Sequence, residues 1–152
     1  MARQRSNVRS STSSRARRGN KFVFTFNKQQ SQTDREFLAM GFRCRSLYTH
    51  EGITFLSFQL EKGDEAERLH YQGFVVFDKR LQLLTQRTEG DCAKKRLSNL
   101  FDDSVHVEHA NTVTKAIEYT QKPEGRVDGP WIRGVAPKKY KKHVLLQDIA
   151  GS

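Results

Sequence analysis

Phenylalanine recurs at every second position in Lys21-Phe22-Val23-Phe24-Thr25-Phe26-Asn27. A period of two is that of a β-strand, whose successive side chains point to opposite faces. Large rings on a single face need an apolar layer against them, so this segment must be one strand of a packed sheet. Order is therefore expected to begin at Lys21. Upstream, Met1–Asn20 is rich in Ser and Arg and nearly free of apolar side chains, the composition of a disordered basic arm.

The remaining 132 residues of the 152 fit one domain followed by a short tail. Thr33-Asp34-Arg35-Glu36 has the form of a capping box, predicting a helix to about Met40 with Gly41 as its stop. Arg43–Thr49 and Ile53–Glu61 read as strands around the turn His50-Glu51-Gly52, and His70–Asp78 as another after the charged loop Lys62–Leu69. Arg80–Phe101 is helical in pattern with a break near Glu89-Gly90, and Leu81, Leu84, Leu97 and Leu100 are its expected core contacts. Ser104–His109 reads as a short strand. Asn111 or Thr112 can cap a final helix reaching about Gln121, which Pro123 ends. After Trp131 the chain reads as a basic linker. This order predicts an α+β domain, an antiparallel sheet with helices packed on it. The organisation expected is an arm over 1–20, a domain over 21–135 and a linker over 136–152.

The net charge of +10 lies in the tails. Residues 1–21 hold arginines and Lys21 without an acid, and Lys138, Lys139, Lys141 and Lys142 supply most of the rest, so that 22–137 is electrically balanced. The folded part is thus no generic polycation, and its partner must be read from particular side chains. The arm, with Arg15, Arg17 and Arg18, suits nuclear import or salt-sensitive phosphate contact as well as mere solubility. It lacks the apolar core of a secretory signal, and no apolar run approaches the ~20 residues that span a bilayer. Cys44 and Cys92 stand in no metal or redox spacing and read as free thiols of a reducing compartment.

Glu61 closes one predicted strand and His70 opens the next, so antiparallel pairing brings them together across the loop. Alternation puts His70 and Gln72 on one face and Tyr71 on the other. Glu61, His70 and Gln72 then converge at the sheet edge. One carboxylate, one imidazole and one amide oxygen suit Mg2+ or Mn2+ with water completing the shell, and suit zinc poorly. Glu65 and Glu67, in the same loop, are alternative acids. By itself, His-x-Gln on a strand equally describes an exposed polar face.

On the last helix, Tyr119 and Lys122 are neighbours on one face. A phenol is a covalent nucleophile for phosphorus once a metal polarises the phosphate oxygens. It ionises only near pH ~10 and needs help. Lys122 is placed to stabilise the phenolate or the phosphate, and Glu118 to accept the proton or reach the metal. An isolated Tyr-x-x-Lys also describes a half-buried tyrosine beside a solvated lysine.

Together these segments resemble the endonuclease domain of replication initiators from circular single-stranded DNA viruses, especially circovirus-like ones. Phe24-Thr25-Phe26-Asn27 is similar to the first family motif, His70-Tyr71-Gln72-Gly73-Phe74 to the second and Tyr119-Thr120-Gln121-Lys122 to the third. Glu61-Lys62-Gly63 looks like the segment that supplies the family's acidic metal ligand. Order and spacing agree over roughly residues 20–135. The resemblance implies a five-stranded antiparallel sheet with flanking helices, as in the wider HUH endonucleases. It implies a metal-dependent nickase in which Tyr119 cuts the plus strand at an origin hairpin, leaving a 3′-hydroxyl and a 5′-phosphotyrosine, and can later rejoin strands. It further implies Mn2+ or Mg2+ as cofactor, single-stranded DNA as partner with contacts from Thr25 and Asn27, and the host nucleus as location. Gln72 departs from the second histidine of the wider class. The sequence also has no Gly-x-x-x-x-Gly-Lys loop, so the helicase activity and homo-oligomerisation expected of a following helicase domain are not expected of these residues.

A non-catalytic module that stacks single strands on aromatic rings, or a packaging protein with an Arg-rich arm, are the competing classes. Neither accounts for Glu61, His70, Gln72, Tyr119 and Lys122 occurring together. Phe55, Phe58, Phe74 and Phe77 are expected in the core, with base stacking the alternative for one or two. His106-Val107-Glu108 has the His-x-Glu of zinc deaminases without their Pro-Cys-x-x-Cys. His106 and His109, on opposite faces of a short strand, are expected at the surface.

Overall fold

The computed structural model describes residues 17–39, 47–63, 68–86, 90–101 and 103–137. In chain order it forms β1 (Arg18–Asn27), α1 (Asp34–Ala39), β2 (Ile53–Lys62), β3 (Leu69–Gln82), α2 (Ala93–Phe101), β4 (His106–His109), α3 (Val113–Tyr119) and β5 (Arg126–Gly134). The strands make a five-stranded sheet in the order β4-β1-β3-β2-β5, every neighbouring pair antiparallel. This is the α+β architecture predicted.

The phenylalanines of β1 turn to one face, as their spacing requires. There Phe22, Phe24 and Phe26 join Phe58, Tyr71 and Phe77 in the main core, closed by Phe37 of α1 and by Ala93, Leu97 and Phe101 of α2. Phe101 lies 4.6 Å from Phe26 between ring centroids. A smaller cluster occupies the opposite face, where Ala116 and Ile117 of α3 cover Phe55, Phe74 and Val76. Phe55, Phe58, Phe74 and Phe77 are all buried, so none is free to stack on a base. The capping box closes α1 as read: the Glu36 amide donates to Thr33 Oγ1 and the Thr33 amide to Glu36 Oε1, each at 3.0 Å.

Several elements differ from the prediction. Arg43–Thr49 reads as a strand, yet its described part, 47–49, is helical and Tyr48 donates to the Ile132 carbonyl of β5; Met40 and Gly41 lie outside the described residues. Arg80, Leu81 and Gln82 continue β3 instead of starting a helix, because Arg18 and Gly19 offer that strand a partner. Leu81 and Leu97 are buried and Leu100 packs on the core, but Leu84 is exposed. The fifth strand is β5, where a basic linker is read beyond Trp131. β1 already begins at Arg18. Thr112 stands at the N-cap of α3 without a side-chain bond. His109 is half-buried where a surface position is expected: it pairs with Phe22 of β1, ring centroids 4.8 Å apart. Its Nε2 is buried without a partner among the described residues, and burial, aided by the charge of Arg17, lowers its pKa. Cys92 is a buried free thiol; Cys44 lies outside the described residues.

Gly73 sits in β3 between Phe24 and Phe58. A Cβ there would collide with the Phe24 ring, which lies over the bare backbone. Gly73→Ala is expected to lower stability by about 1–3 kcal/mol through overpacking. A fall in the denaturant midpoint at unchanged slope would register this, and the penalty should shrink in a Phe24→Leu background.

Candidate active site

The register of the three central strands builds a polar patch on the face away from the main core. His70 of β3 stands between Asn27 of β1 and Glu61 of β2, and Gln72 stands between Thr25 and Gln59. Directly opposed residues share a face, so these side chains form adjoining rows.

Glu61 is the centre of the patch and only 2% exposed. Its Oε1 lies 3.1 Å from His70 Nε2 and 3.6 Å from Lys122 Nζ, while its Oε2 accepts a 2.8 Å hydrogen bond from Gln59 Nε2. Burial opposes the charge, but hydrogen bonds from His70 and Gln59 and the positive charges of Lys122 and His70 outweigh it. The carboxyl is held below its ordinary range. In the second row Thr25 Oγ1 donates to Gln72 Oε1 at 3.1 Å.

The helix α3 delivers the remaining groups. Ala116 and Ile117 seat it on Phe74, and a relay of hydroxyls pins its end. The Thr120 hydroxyl donates to the Ile117 carbonyl at 2.8 Å, which leaves the Ser57 hydroxyl to donate to Thr120 across 2.9 Å. Gln121 Nε2 reaches Ser57 at 3.3 Å, and the Lys122 carbonyl accepts from Gln59 Nε2 at 2.9 Å. The chain past α3 is thereby laid against β2, and Lys122 Nζ comes to rest 4.3 Å from the centroid of the Tyr119 ring, a cation–π contact. Tyr119 itself is 52% exposed.

Of the residues singled out in the sequence, Glu61, His70, Lys122 and Tyr119 form one line of contacts. Gln72 lies on the same face, its oxygen turned to Thr25. Asn27 is exposed at the end of β1, opposite His70. Glu118 is exposed on α3, and the line of contacts runs through Lys122 instead. Glu65 and Glu67 lie outside the described residues. Gln59 and Ser57 stand in none of the motifs read from the sequence, and Thr120 stands in the third without an assigned role. Polar residues two and four before Glu61, and so on its face of the strand, nevertheless carry a signal.

The donors are a carboxylate, an imidazole and two amide groups, a hard set of the kind that Mg2+ or Mn2+ shares with water. Among the described residues no three His, Cys, Asp or Glu side chains gather anywhere, so a cation beside Glu61 and His70 would complete its shell from amide oxygens and water. The orphaned, buried Oε1 of Gln59 is a further oxygen without a partner among the described residues.

Because its folded-state pKa is depressed, the charge of Glu61 adds stability that is present above the unfolded value and lost as pH falls through the folded one. The stability advantage of the native protein over Glu61→Gln is therefore expected to be full at neutral pH. It should shrink once the pH drops below the ordinary glutamate range, as measured by urea unfolding across pH; an advantage independent of pH would contradict it.

No family model matches the chain. Over 86 residues, 56% of its length, it is 34% identical to the "Master replication protein" of Subterranean clover stunt virus (strain F), and it spans 26% of that relative. The chain is thus similar, over about a quarter of the relative's length, to a viral replication protein.

Proposed function

We propose that this chain is the nicking and strand-joining domain of a rolling-circle replication initiator, a site-specific endonuclease for single-stranded DNA. The observation that carries this reading is the unbroken line from an exposed phenol through Lys122 to a buried acid–imidazole pair. The similarity to a master replication protein supports it.

In this reading Tyr119 Oη bonds to the scissile phosphorus and the bond from phosphorus to the 3′-oxygen breaks. The phenolic proton departs, with Glu118 a candidate acceptor, and the 3′-oxygen leaves as a hydroxyl after taking up a proton. The 5′-phosphate stays on Tyr119 as a diester, so attack by another 3′-hydroxyl rejoins DNA without an added energy source. Lys122, against the ring, stabilises the developing phenolate. Glu61, His70 and Gln72 would hold Mn2+ or Mg2+, which when bound polarises the phosphate oxygens and orients them. The depressed pKa of Glu61 keeps it ionised for that task. Thr25 and Asn27, in the adjoining strand, are assigned to the DNA, and the arginine-rich arm to phosphate contact or entry into the host nucleus. No helix of the described residues is long and apolar enough to cross a membrane. The alternative of a purely stacking module is weakened by burial of the four phenylalanines proposed as its platforms.

Incubation with an origin-hairpin oligonucleotide and Mn2+, followed by denaturing electrophoresis, tests the reading. A covalent protein–DNA band is expected, absent in Tyr119→Phe and with EDTA. His70→Ala should keep DNA binding while losing adduct by at least the roughly 100-fold that loss of an outer metal partner costs. A band that persists in Tyr119→Phe refutes the nucleophile.

A further inference from the structure

We propose that Gln59 is a positioning residue that fixes the Glu61 carboxylate for a divalent cation and ties it to the segment bearing Lys122 and Tyr119; this rests on the metal-dependent nicking proposed above. Gln59 is fully buried in the middle of β2, two residues from Glu61 and hence on the same face. Its amide nitrogen donates twice, to Glu61 Oε2 at 2.8 Å and to the Lys122 carbonyl at 2.9 Å.

Both hydrogens of that nitrogen are therefore committed. The amide cannot be turned over, because its oxygen would then face a carboxylate oxygen and a carbonyl. With Oε2 held in this way, Glu61 presents Oε1 to His70 and Lys122. The same nitrogen anchors the backbone just beyond α3, a helix whose buried residues are only Ala116 and Ile117. A single amide thus joins the acid to the chain that carries the phenol.

The orphaned Oε1 strengthens the case. A buried acceptor with no partner among the described residues is unfavourable and calls for a reason. Here the reason is the double donation from Nε2, which dictates the orientation of the whole group. Packing alone would be served by a methionine of similar volume, which buries no unmet oxygen.

The test compares the native protein with Gln59→Met and Gln59→Glu. Mn2+ binding is read from the free-ion signal in electron paramagnetic resonance, and adduct formation from single turnovers at saturating Mn2+. For Gln59→Met, Mn2+ should bind about tenfold more weakly, the scale of losing an outer partner of a ligand, and the adduct should form about tenfold more slowly even at saturation. Gln59→Glu adds a carboxylate but cannot donate to the Lys122 carbonyl. It should bind Mn2+ at least as tightly as the native protein and still form the adduct about tenfold more slowly, a split that a packing role would not produce. Native Mn2+ affinity in Gln59→Met, or a native saturated rate in either variant, overturns the proposal. So does loss of folded circular dichroism in both variants, which would mark a packing role. If the native protein binds no Mn2+, the proposal falls with the metal assignment. If it binds Mn2+ without forming an adduct, the nicking reading fails, and Gln59 is judged on the binding measurement alone.

Discussion

The antiparallel pairing of β2 with β3 is the constraint from which the site follows. It sets Glu61 against His70 and Gln59 against Gln72, residues that a loop separates along the chain. A slip of one residue would turn the polar groups into the main core and the rings of Phe58 and Tyr71 out of it. Apolar packing on one face therefore specifies the geometry of the polar face, and the centre inherits its rigidity from side chains that never touch it.

The two faces solve different problems. One is a thick layer of aromatic rings beneath two helices, where burial of apolar area supplies most of the stability. The other holds a small apolar patch just large enough to seat α3, followed directly by hydroxyls, amides and the acid. Because the patch ends where the polar rows begin, the helix terminates above the centre. Thr120, fully buried, sits at that boundary and satisfies its hydroxyl on both sides.

The strands β1, β2 and β3 were legible because their apolar period of two leaves little choice. Glu61 and His70 were legible because strand pairing and alternation act over a few residues. Tyr119 and Lys122 do meet, but α3 ends at Tyr119, so Lys122 reaches the ring from the chain beyond the helix and not from one helical face as read. What escaped depends on contacts distant in sequence. β5 carries Gly129 and Gly134 at positive φ and a Gly-Pro step, all read locally as breaks, yet Trp131 packs 5.0 Å from Phe58 and the strand pairs along β2. The end of β3 has a helical pattern that pairing with Arg18 and Gly19 overrides. His109 reads as a polar edge residue, but β4 sets it opposite Phe22. Gln59 was missed because its meaning lies in the carbonyl of Lys122, distant along the chain.

The burial of Glu61 bears on how such a centre changes over generations. Removing any one partner leaves an ionised group or a lone acceptor stranded away from water, a larger penalty than removing the whole set. Intermediates on a residue-by-residue route are thus worse than either endpoint. The acid, its imidazole neighbour and the amide beside it are expected to persist as a block or to be exchanged as one, so drift should concentrate in the exposed loops around them.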